Sequence, residues 1–338
     1  MQSLLRLPAL ATPDGRAPCV LLPDWPAIAG VRALFTTRQG GYSAAPCDSW
    51  NLGEHVQDEP RHVQANRDLL HAVIGQLHAS APAHAQPRPA PQPHYLQQIH
   101  GCDVWALEGG APGSAAALPQ ADAVWTASPG QVCTILVADC LPVLWAHRQA
   151  PVVAATHAGW RGLAGQDGGG VLEHTFAAFA QAVRRWLQAH NRPDADADER
   201  AIARHTQVWL GPCIGPQAFE VGDEVRQAFA AHAPAQHVTT QHVTIQRATA
   251  QSSEDWGCPD WGDIPLWRPS PQHPQRWLAH LPGLARQRLA QLGITQVYGN
   301  DGTRPWCTFS QETLFFSHRR DSARLGRTGR MAACIWLG

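Results

Sequence analysis

Three residues of the types that bind zinc stand at the ends of separate segments. His100 ends the stretch YLQQIH, Cys140 follows one short apolar run, and His157 ends another. Two imidazoles and one thiolate supply three ligands and leave a fourth position open, as in catalytic zinc sites. If the two apolar runs are neighbouring strands, Cys140 and His157 lie close together. His157 could then also activate Cys140 as a nucleophile.

The second candidate is a glycine-rich segment that contains His157, residues 152–170 (VVAATHAGWRGLAGQDGGG). It predicts a strand, a turn that contains Arg161, and a helix. Such a turn presents backbone N–H groups to an anion, and Arg161 would strengthen the binding. Gly159 and Gly162 would let the backbone approach a ligand closely. The alternative is a tight turn that binds nothing.

Other polar residues form two further candidate groups for substrate or phosphate. Arg38 precedes a Gly–Gly turn, and Arg319, Arg320 and Arg330 lie in the C-terminal stretch FFSHRRDSARLGRTGRM. The amide of Asn51, in SWNLG, could hold a ribose hydroxyl or a base edge. Taken alone, each of these is more often a solvated charge or a turn residue than a ligand contact.

All 26 basic residues are arginine, because the chain contains no lysine. This excludes a Walker A phosphate loop, a Schiff-base enzyme and a Ser–Lys dyad. Phosphate or carboxylate binding must therefore use arginine, backbone N–H groups or a metal.

Composition excludes several other classes of protein. The 338 residues are 44% hydrophobic and 16% charged, which is typical of a folded globular chain. The net charge of −1 offers no basic field for nucleic acid or anionic membrane. No apolar run reaches the roughly 18 residues of a membrane span, and Arg6 and Pro8 interrupt the N-terminal stretch too early for a signal peptide.

The nine cysteines are scattered singly and form no C-x-x-C pair, so neither a zinc ribbon nor a disulfide framework is predicted. A reduced, cytoplasmic setting fits best, with most cysteines acting as small buried hydrophobes. Any single residue among nine cysteines and 18 histidines is more often a packing or surface residue than a ligand. The proposed metal site therefore depends on its three members acting together.

Alternating apolar patterns predict one α/β domain over residues 1–338. Strands are expected over 132–139, 152–157, 207–210 and 332–337, and helices begin at Pro60 and near Val171, with another around 284–292. Three segments lack periodic apolar faces and are predicted to be surface insertions without regular structure: 79–94, 190–205 and 233–275.

Nine sequence blocks together resemble the YfiH-like family, also called the laccase-domain or multicopper polyphenol oxidase family. In chain order they are TTRQGGYS, SWNLGEHV, YLQQIHG, ADAVWT, VADCLPVLWA, HAGWRGLAG, WLGPCIGPQAFEVGDEV, FFSHRRD and TGRMAACIWL. The resemblance implies a layered α/β sandwich with mixed sheets, related to cysteine hydrolases such as the cytotoxic necrotizing factor catalytic domain. It also implies that His100, Cys140 and His157 hold one Zn²⁺ per chain, with copper able to substitute.

The family resemblance further implies phosphorolysis of purine nucleosides, namely adenosine, inosine and methylthioadenosine, with adenosine deamination as an additional activity. Bacterial members have also been called peptidoglycan editing factors. Two positions depart from the family pattern: Gln217 stands where a cysteine is usual, and His318 stands where a tyrosine is usual. These departures put peripheral substrate contacts in doubt but leave the three ligands in place.

Missing motifs argue against two of the possible activities. No two histidines are two residues apart, and the only methionines are Met1 and Met331, so a multicopper oxidase is poorly supported. The zinc deaminase signature H-x-E with P-C-x-x-C is also missing. From the family resemblance we expect a purine nucleoside phosphorylase whose partners are a nucleoside and phosphate, acting as a monomer or homodimer without nucleic acid or membrane. The alternatives are a Cys140–His157 hydrolase that cleaves an amide or peptide bond in peptidoglycan editing, and a binding partner in cell-wall synthesis.

Overall fold

The computed structural model describes residues 3–13, 15–80, 90–108, 117–166, 169–192, 198–231 and 264–338. Their strands are β1 (Ser3–Arg6), β2 (Cys19–Leu22), β3 (Val31–Thr36), β4 (Gln92–His94), β5 (Val104–Ala106), β6 (Ala123–Thr126), β7 (Gln131–Val137), β8 (Leu141–His147), β9 (Val153–Ala158), β10 (Thr206–Leu210), β11 (Glu220–Gly222), β12 (Trp267–Pro269), β13 (Arg276–Ala279), β14 (Gln296–Gly299) and β15 (Met331–Leu337). Their helices are α1 (Pro60–Ala79), α2 (Trp160–Ala164), α3 (Val171–Ala189), α4 (Glu199–Arg204), α5 (Asp223–Ala231), α6 (Leu281–Gln291) and α7 (His318–Leu325).

Two six-stranded mixed sheets form the centre of the fold. Sheet I has the order β1-β2-β3-β15-β7-β4, and sheet II has the order β14-β10-β8-β9-β6-β5. Most neighbours are antiparallel, whereas β4 runs parallel to β7, β5 to β6, and β14 to β10. A small third sheet, β11-β13-β12, lies beside α5. The α/β fold with mixed sheets is therefore confirmed.

The alternation of apolar residues explains the layers. In β7, Cys133 and Ile135 belong to a core shared with residues of sheet II, whereas Val132 and Leu136 belong to a core shared with α1. Successive side chains of a strand point to opposite faces, so one strand serves both cores. A third core joins the other face of sheet II to α3, around Phe179. The order of layers is helix, sheet I, sheet II, helices.

The chain crosses from sheet I to sheet II in two places, after β4 and after β7. Strands β8 and β9 lie inside sheet II and every one of their residues is buried. Continuous burial on both faces explains why their sequences read as unbroken apolar runs. Within the described part of the chain, no helix combines the length and apolarity needed to span a membrane.

The predicted strands and long helices are present, with small shifts at their ends. The strand expected over 132–139 ends at Val137, and the helix that begins at Pro60 continues to Ala79. Pro60 occupies the first turn of α1, as expected from its fixed φ and missing N–H.

The expectation that three insertions lack regular structure is wrong at their edges. Gln92–His94 forms β4, paired with β7 at the edge of sheet I, a position that tolerates the proline at 93. Glu199–Arg204 forms α4, where Asp198 caps the helix and Ile202 joins the core around α3. Trp267–Pro269 forms β12. These elements depend on contacts with distant parts of the chain, so composition could not reveal them. The rest of the three predicted insertions includes residues 81–89, 193–197 and 232–263, which lie outside the described part.

Candidate metal centre

Adjacent strands of sheet II bring Cys140 and His157 together. Strands β8 and β9 are antiparallel neighbours in which Pro142 lies opposite His157. Cys140 directly precedes β8, and His157 is the penultimate residue of β9 rather than its last. The run that Cys140 follows is β7, which lies in sheet I and does not pair with β9, so the expectation that the two apolar runs are neighbouring strands is wrong. Cys140 meets His157 through β8, the strand that it precedes.

His100 reaches the same place from the crossing between β4 and β5. Its Nε2 atom lies 3.9 Å from Sγ of Cys140, and its ring centroid lies 4.8 Å from that of His157. The ligand atoms of His100, Cys140 and His157 all lie within 4.8 Å of one another. Cys140 lies in the second crossing, so two of the three side chains come from passages between the sheets.

The cluster fits a tetrahedral metal ion. With metal–sulfur and metal–nitrogen bonds of about 2.3 and 2.0 Å, tetrahedral geometry separates the ligand atoms by about 3.5 Å. The 3.9 Å between Cys140 and His100 requires a shift of a few tenths of an ångström. The ligand atoms of the cluster spread over as much as 4.8 Å, so the widest pair must close by about 1 Å when an ion binds. His157 is buried and His100 is exposed, so one side of the cluster faces solvent. This group could therefore bind a metal and leave one position accessible.

Asp122 is the central residue that the sequence analysis missed. Its fully buried carboxylate lies 2.8 Å from Nδ1 of His157 and accepts the backbone N–H groups of His100 and Gly101 at 2.9 and 2.7 Å. A carboxylate on one imidazole nitrogen fixes the ring and leaves the other nitrogen for a metal. The available signal was the block ADAVWT, in which an aspartate stands directly before a buried strand.

The electrostatics of the cluster favour charged forms. Burial opposes ionisation of Asp122, but the hydrogen bonds from His157, Gly101 and His100 hold its pKa below the ordinary value. Burial likewise opposes charge on Cys140 and His157, yet their mutual attraction lowers the pKa of the thiol and raises that of the imidazole. The side chains therefore favour a thiolate beside an imidazolium anchored by a carboxylate.

Gly159 is in close contact with the cluster. A Cβ atom at this position would lie 2.9 Å from Cδ2 of His100 and 3.3 Å from Sγ of Cys140. Gly162 packs in the same way, since a Cβ atom there would lie 2.6 Å from the backbone oxygen of Gly101. Both glycines allow α2 to pack directly on the segment that carries His100.

The glycine-rich segment differs from the expected anion-binding turn. Arg161 lies in the short helix α2, where its exposed guanidinium stacks on Trp160 at 4.7 Å and forms no hydrogen bond to the described residues. The N–H of Gly165 binds the carbonyl of Arg161, and Gln166 and Gly169 bind each other. These N–H groups are therefore not free to bind an anion.

Arg38 and Asn51 have structural partners. Arg38 donates to Asp48, both to its carbonyl and to its carboxylate, and to the carbonyl of Glu312. The fully buried amide of Asn51 bonds the backbone of Gly53, the carboxylate of Asp58 and the N–H of Arg330. The donors and acceptors of the Asn51 side chain are all engaged within the fold, and its predicted contact to a ribose or base stays a prediction.

Arg319 and Arg320 are also engaged within the fold. Arg319 donates to the carbonyls of Glu220 and Ala218 at 2.9 and 3.4 Å. Arg320 forms a two-bond pair with Asp321 and donates to three backbone carbonyls, those of Thr308, Phe309 and Phe315. The expectation that Arg320 binds phosphate is therefore not supported by its position.

Asp139 connects the Cys140 segment to α7. Its carboxylate accepts the hydroxyls of Thr308 and Ser317 and, at 2.6 Å, the backbone N–H of Arg319. Its φ of +88° is rare for a residue other than glycine. The start of α7, including His318, is thereby held beside the cysteine.

Comparisons with known proteins identify the family. The family model described as multi-copper polyphenol oxidoreductase laccase matches residues 32–338. The chain belongs to this laccase-like family. YfiH of Escherichia coli, named a purine nucleoside phosphorylase, is 39% identical over 319 residues, which cover 94% of this chain and 98% of the relative. A purine nucleoside phosphorylase of Pseudomonas aeruginosa is 40% identical, with the same coverage.

Solved structures support the same assignment. The laccase-like chain resembles the crystal structure of a Neisseria meningitidis protein, NMB0706, with a TM-score of 0.66 and 34% identity over 94% of this chain and 98% of that one. YlmD of Geobacillus stearothermophilus gives a TM-score of 0.64 at 27% identity, covering 94% and 96%. The resemblance to the YfiH-like family is confirmed.

Proposed function

We propose that this protein is a purine nucleoside phosphorylase that converts adenosine, inosine or methylthioadenosine and phosphate into free base and the corresponding sugar 1-phosphate. The observation that carries the proposal is the convergence of His100, Cys140 and His157 beside Asp122 in a chain that matches phosphorylase relatives almost end to end.

We assign the metal as one Zn²⁺ per chain, held by His100, Cys140 and His157, with copper able to substitute. The donor set of one thiolate and two imidazoles suits zinc, and copper binds such ligands with high intrinsic affinity. A zinc ion held there would supply a Lewis acid next to the substrate. Asp122 fixes the orientation of both the His157 ring and the His100 backbone.

The reaction forms a bond between a phosphate oxygen and C1′ of the sugar and breaks the bond from C1′ to the purine nitrogen. The electron pair of the broken bond leaves with the base, which a positioned acid protonates. Arg161, exposed beside Gly159, provides a guanidinium without a competing carboxylate or carbonyl partner among the described residues. Positive charge that develops on the sugar is stabilised by the phosphate that attacks it.

A second candidate is a cysteine hydrolase that acts on an amide or peptide bond, for example in peptidoglycan editing. The Cys140–His157–Asp122 arrangement favours it, because a thiolate lies beside an imidazolium oriented by a buried carboxylate. Nucleophile, base and orienting acid are the parts that such chemistry needs. In this alternative the thiolate attacks a carbonyl carbon instead of serving as a metal ligand.

Product analysis distinguishes these functions. Inosine and adenosine are incubated with the protein in the presence and absence of phosphate. Hypoxanthine and ribose 1-phosphate formed only with phosphate support phosphorolysis, and inosine formed from adenosine reports deamination. Base release at the same rate without phosphate, or no release from any purine nucleoside, contradicts the phosphorylase.

Ligand variants test the metal assignment. Cys140→Ser and His157→Ala should lose zinc and activity together, as measured by elemental analysis and turnover. Cys102→Ser is the matched control, since Cys102 is the other partly exposed cysteine among the described residues. Full zinc content in both ligand variants would defeat the assignment. An active metal-free protein that is inactivated by alkylation of Cys140 would favour the hydrolase.

A further inference from the structure

Arg330 is a half-buried cation with unused hydrogen-bond donors. It directly precedes β15, and its Nη1 donates to the carbonyls of Thr328 and Gly329 at 3.0 and 3.2 Å. Among the described residues, its Nε and Nη2 groups have no acceptor. Three of the five guanidinium N–H groups therefore remain available for a ligand.

The backbone around Arg330 is held rigidly. The Asn51 side-chain oxygen accepts the N–H of Arg330 at 2.8 Å, and the N–H of Leu52 donates to the carbonyl of Arg330 at 3.0 Å. A Cβ at Gly53 would lie 2.7 Å from Cγ of Arg330 and 3.4 Å from Cε1 of His55. The absence of a side chain at Gly53 thus allows Arg330 to pass beside His55.

The charge of Arg330 acts on the metal-ligand cluster. Burial lowers the pKa of Arg330, and the charges of Cys140 and Asp139 oppose this effect. After burial, Arg330 is the largest cause that lowers the pKa of both His55 and His318. In sheet I, Met331 lies opposite Val137, so Arg330 lies at the end of β7 that leads to Cys140. Gly53 brings the same side chain beside His55.

The other nearby cations differ from Arg330 in their partners or in their position. Arg38 and Arg320 bind partners through all three guanidinium nitrogens. Arg67 pairs with Glu54 and donates to Leu52. Arg319 uses only Nη1, as Arg330 does, but it is exposed and donates to the carbonyls of Ala218 and Glu220 beside β11. Arg161 lies on α2, whose preceding residue Gly159 packs against His100 and Cys140. Arg330 is thus a cation with free donors on the sheet I side of the cluster.

We propose that Arg330 binds the phosphate co-substrate, so that the anion lies between this guanidinium and the His100–Cys140–His157 cluster. This inference rests on the proposed function and names a residue for its phosphate site. A planar guanidinium with free Nε and Nη2 can give two parallel hydrogen bonds to two phosphate oxygens. Asn51 then acts as a positioning residue for Arg330 rather than as a contact to ribose or base.

The test compares Arg330→Gln and Arg330→Lys with Arg324→Gln, an exposed control that loses the same charge. Calorimetry measures binding of inorganic phosphate to each metal-loaded protein, and kinetics give KM for phosphate and for inosine. Arg330→Gln should weaken phosphate binding and raise its KM about 10- to 100-fold, the effect of losing charge-assisted hydrogen bonds. The KM for inosine at saturating phosphate should change less than about threefold, and the control should resemble the wild type.

Arg330→Lys keeps the charge without the planar fork, so we expect an intermediate loss of phosphate affinity. Unchanged phosphate binding in Arg330→Gln overturns the inference even if phosphorolysis is real. The inference is also overturned if Arg330→Gln loses zinc while the molecules that still hold zinc bind phosphate as tightly as the wild type. Arg330 would then only stabilise the Cys140 thiolate. If the wild type binds phosphate through Arg330 but cleaves no nucleoside, the proposed function fails and the anion site stands.

Discussion

The Asp122 carboxylate lies 2.8 Å from Nδ1 of His157 while it also holds the backbone of the His100 segment. One carboxylate therefore orients two histidines of the possible metal site that are 57 positions apart in the numbering of the chain. Asp122→Asn cannot accept all these donors, because one side of an amide is itself a donor. We expect zinc affinity to fall about 10- to 100-fold.

Competition with a chromophoric chelator measures this affinity. Asp103→Asn, the same substitution at an exposed aspartate three residues after His100, is the control. Equal zinc affinity in Asp122→Asn and the wild type would show that Asp122 does not support the ligands.

Gly159→Ala should disturb the ligand cluster without removing any ligand. The added Cβ would lie 2.9 Å from the His100 ring, closer than carbon atoms normally approach, so His100 or α2 must move. We expect a loss of activity of about 100-fold. Gly101→Ala is the control, because its Cβ would meet its nearest neighbours at an ordinary 3.5 Å. Comparable turnover of both variants in the inosine assay would argue against this close approach.

Arg288 links the end of α2 to the first turn of α3. It donates to the carboxylate of Glu173 at 3.1 Å and to the carbonyl of Ala164 at 2.9 Å, and the same carboxylate accepts the N–H of Gly170. Arg288→Met leaves the carboxylate without its cationic partner and the carbonyl without its donor, and we expect a loss of about 3 kcal/mol in the free energy of unfolding.

Urea denaturation measures this loss. The double variant Arg288→Met/Glu173→Gln should recover part of the stability, because the unpaired charge is then removed. A single variant that loses less than about 1 kcal/mol would show that the pair contributes little.

His280 makes stability depend on pH. Its Nδ1 accepts the N–H of Gly283 at the start of α6, and burial lowers its pKa to about 4. The unfolded chain therefore binds a proton between about pH 6.5 and 4 that the folded chain does not. Stability is full above about pH 6.5 and falls as the pH decreases, by on the order of 3 kcal/mol from this residue.

Urea midpoints across this pH range check the prediction. In His280→Asn, which keeps a capping acceptor but binds no proton, the slope of stability against pH should decrease. His174→Asn, a change at an exposed histidine, serves as the control. An unchanged slope in His280→Asn would assign the acid sensitivity to other groups.

The sequence predicted that His100, Cys140 and His157 come together, and it predicted the main elements, because each has a local signal. His157 and Cys140 stand at the ends of apolar runs, and α1 begins at a proline. The roles of Asn51 and Arg320 could not be predicted, because a polar side chain does not reveal its partners. Asn51 meets Arg330 across 279 positions of the chain, and Asp139 meets Arg319 across 180. Asp122 was missed for the same reason.

The crossings between the sheets have a consequence for folding. His100 and Cys140 are 40 positions apart and lie in two different passages from sheet I to sheet II. In an extended chain these side chains are far apart, so the cluster exists only after the sheets have packed together. An ion that binds the assembled cluster selects the packed state over the open one by mass action. The metal would thus act as a cross-link that resists separation of the two layers.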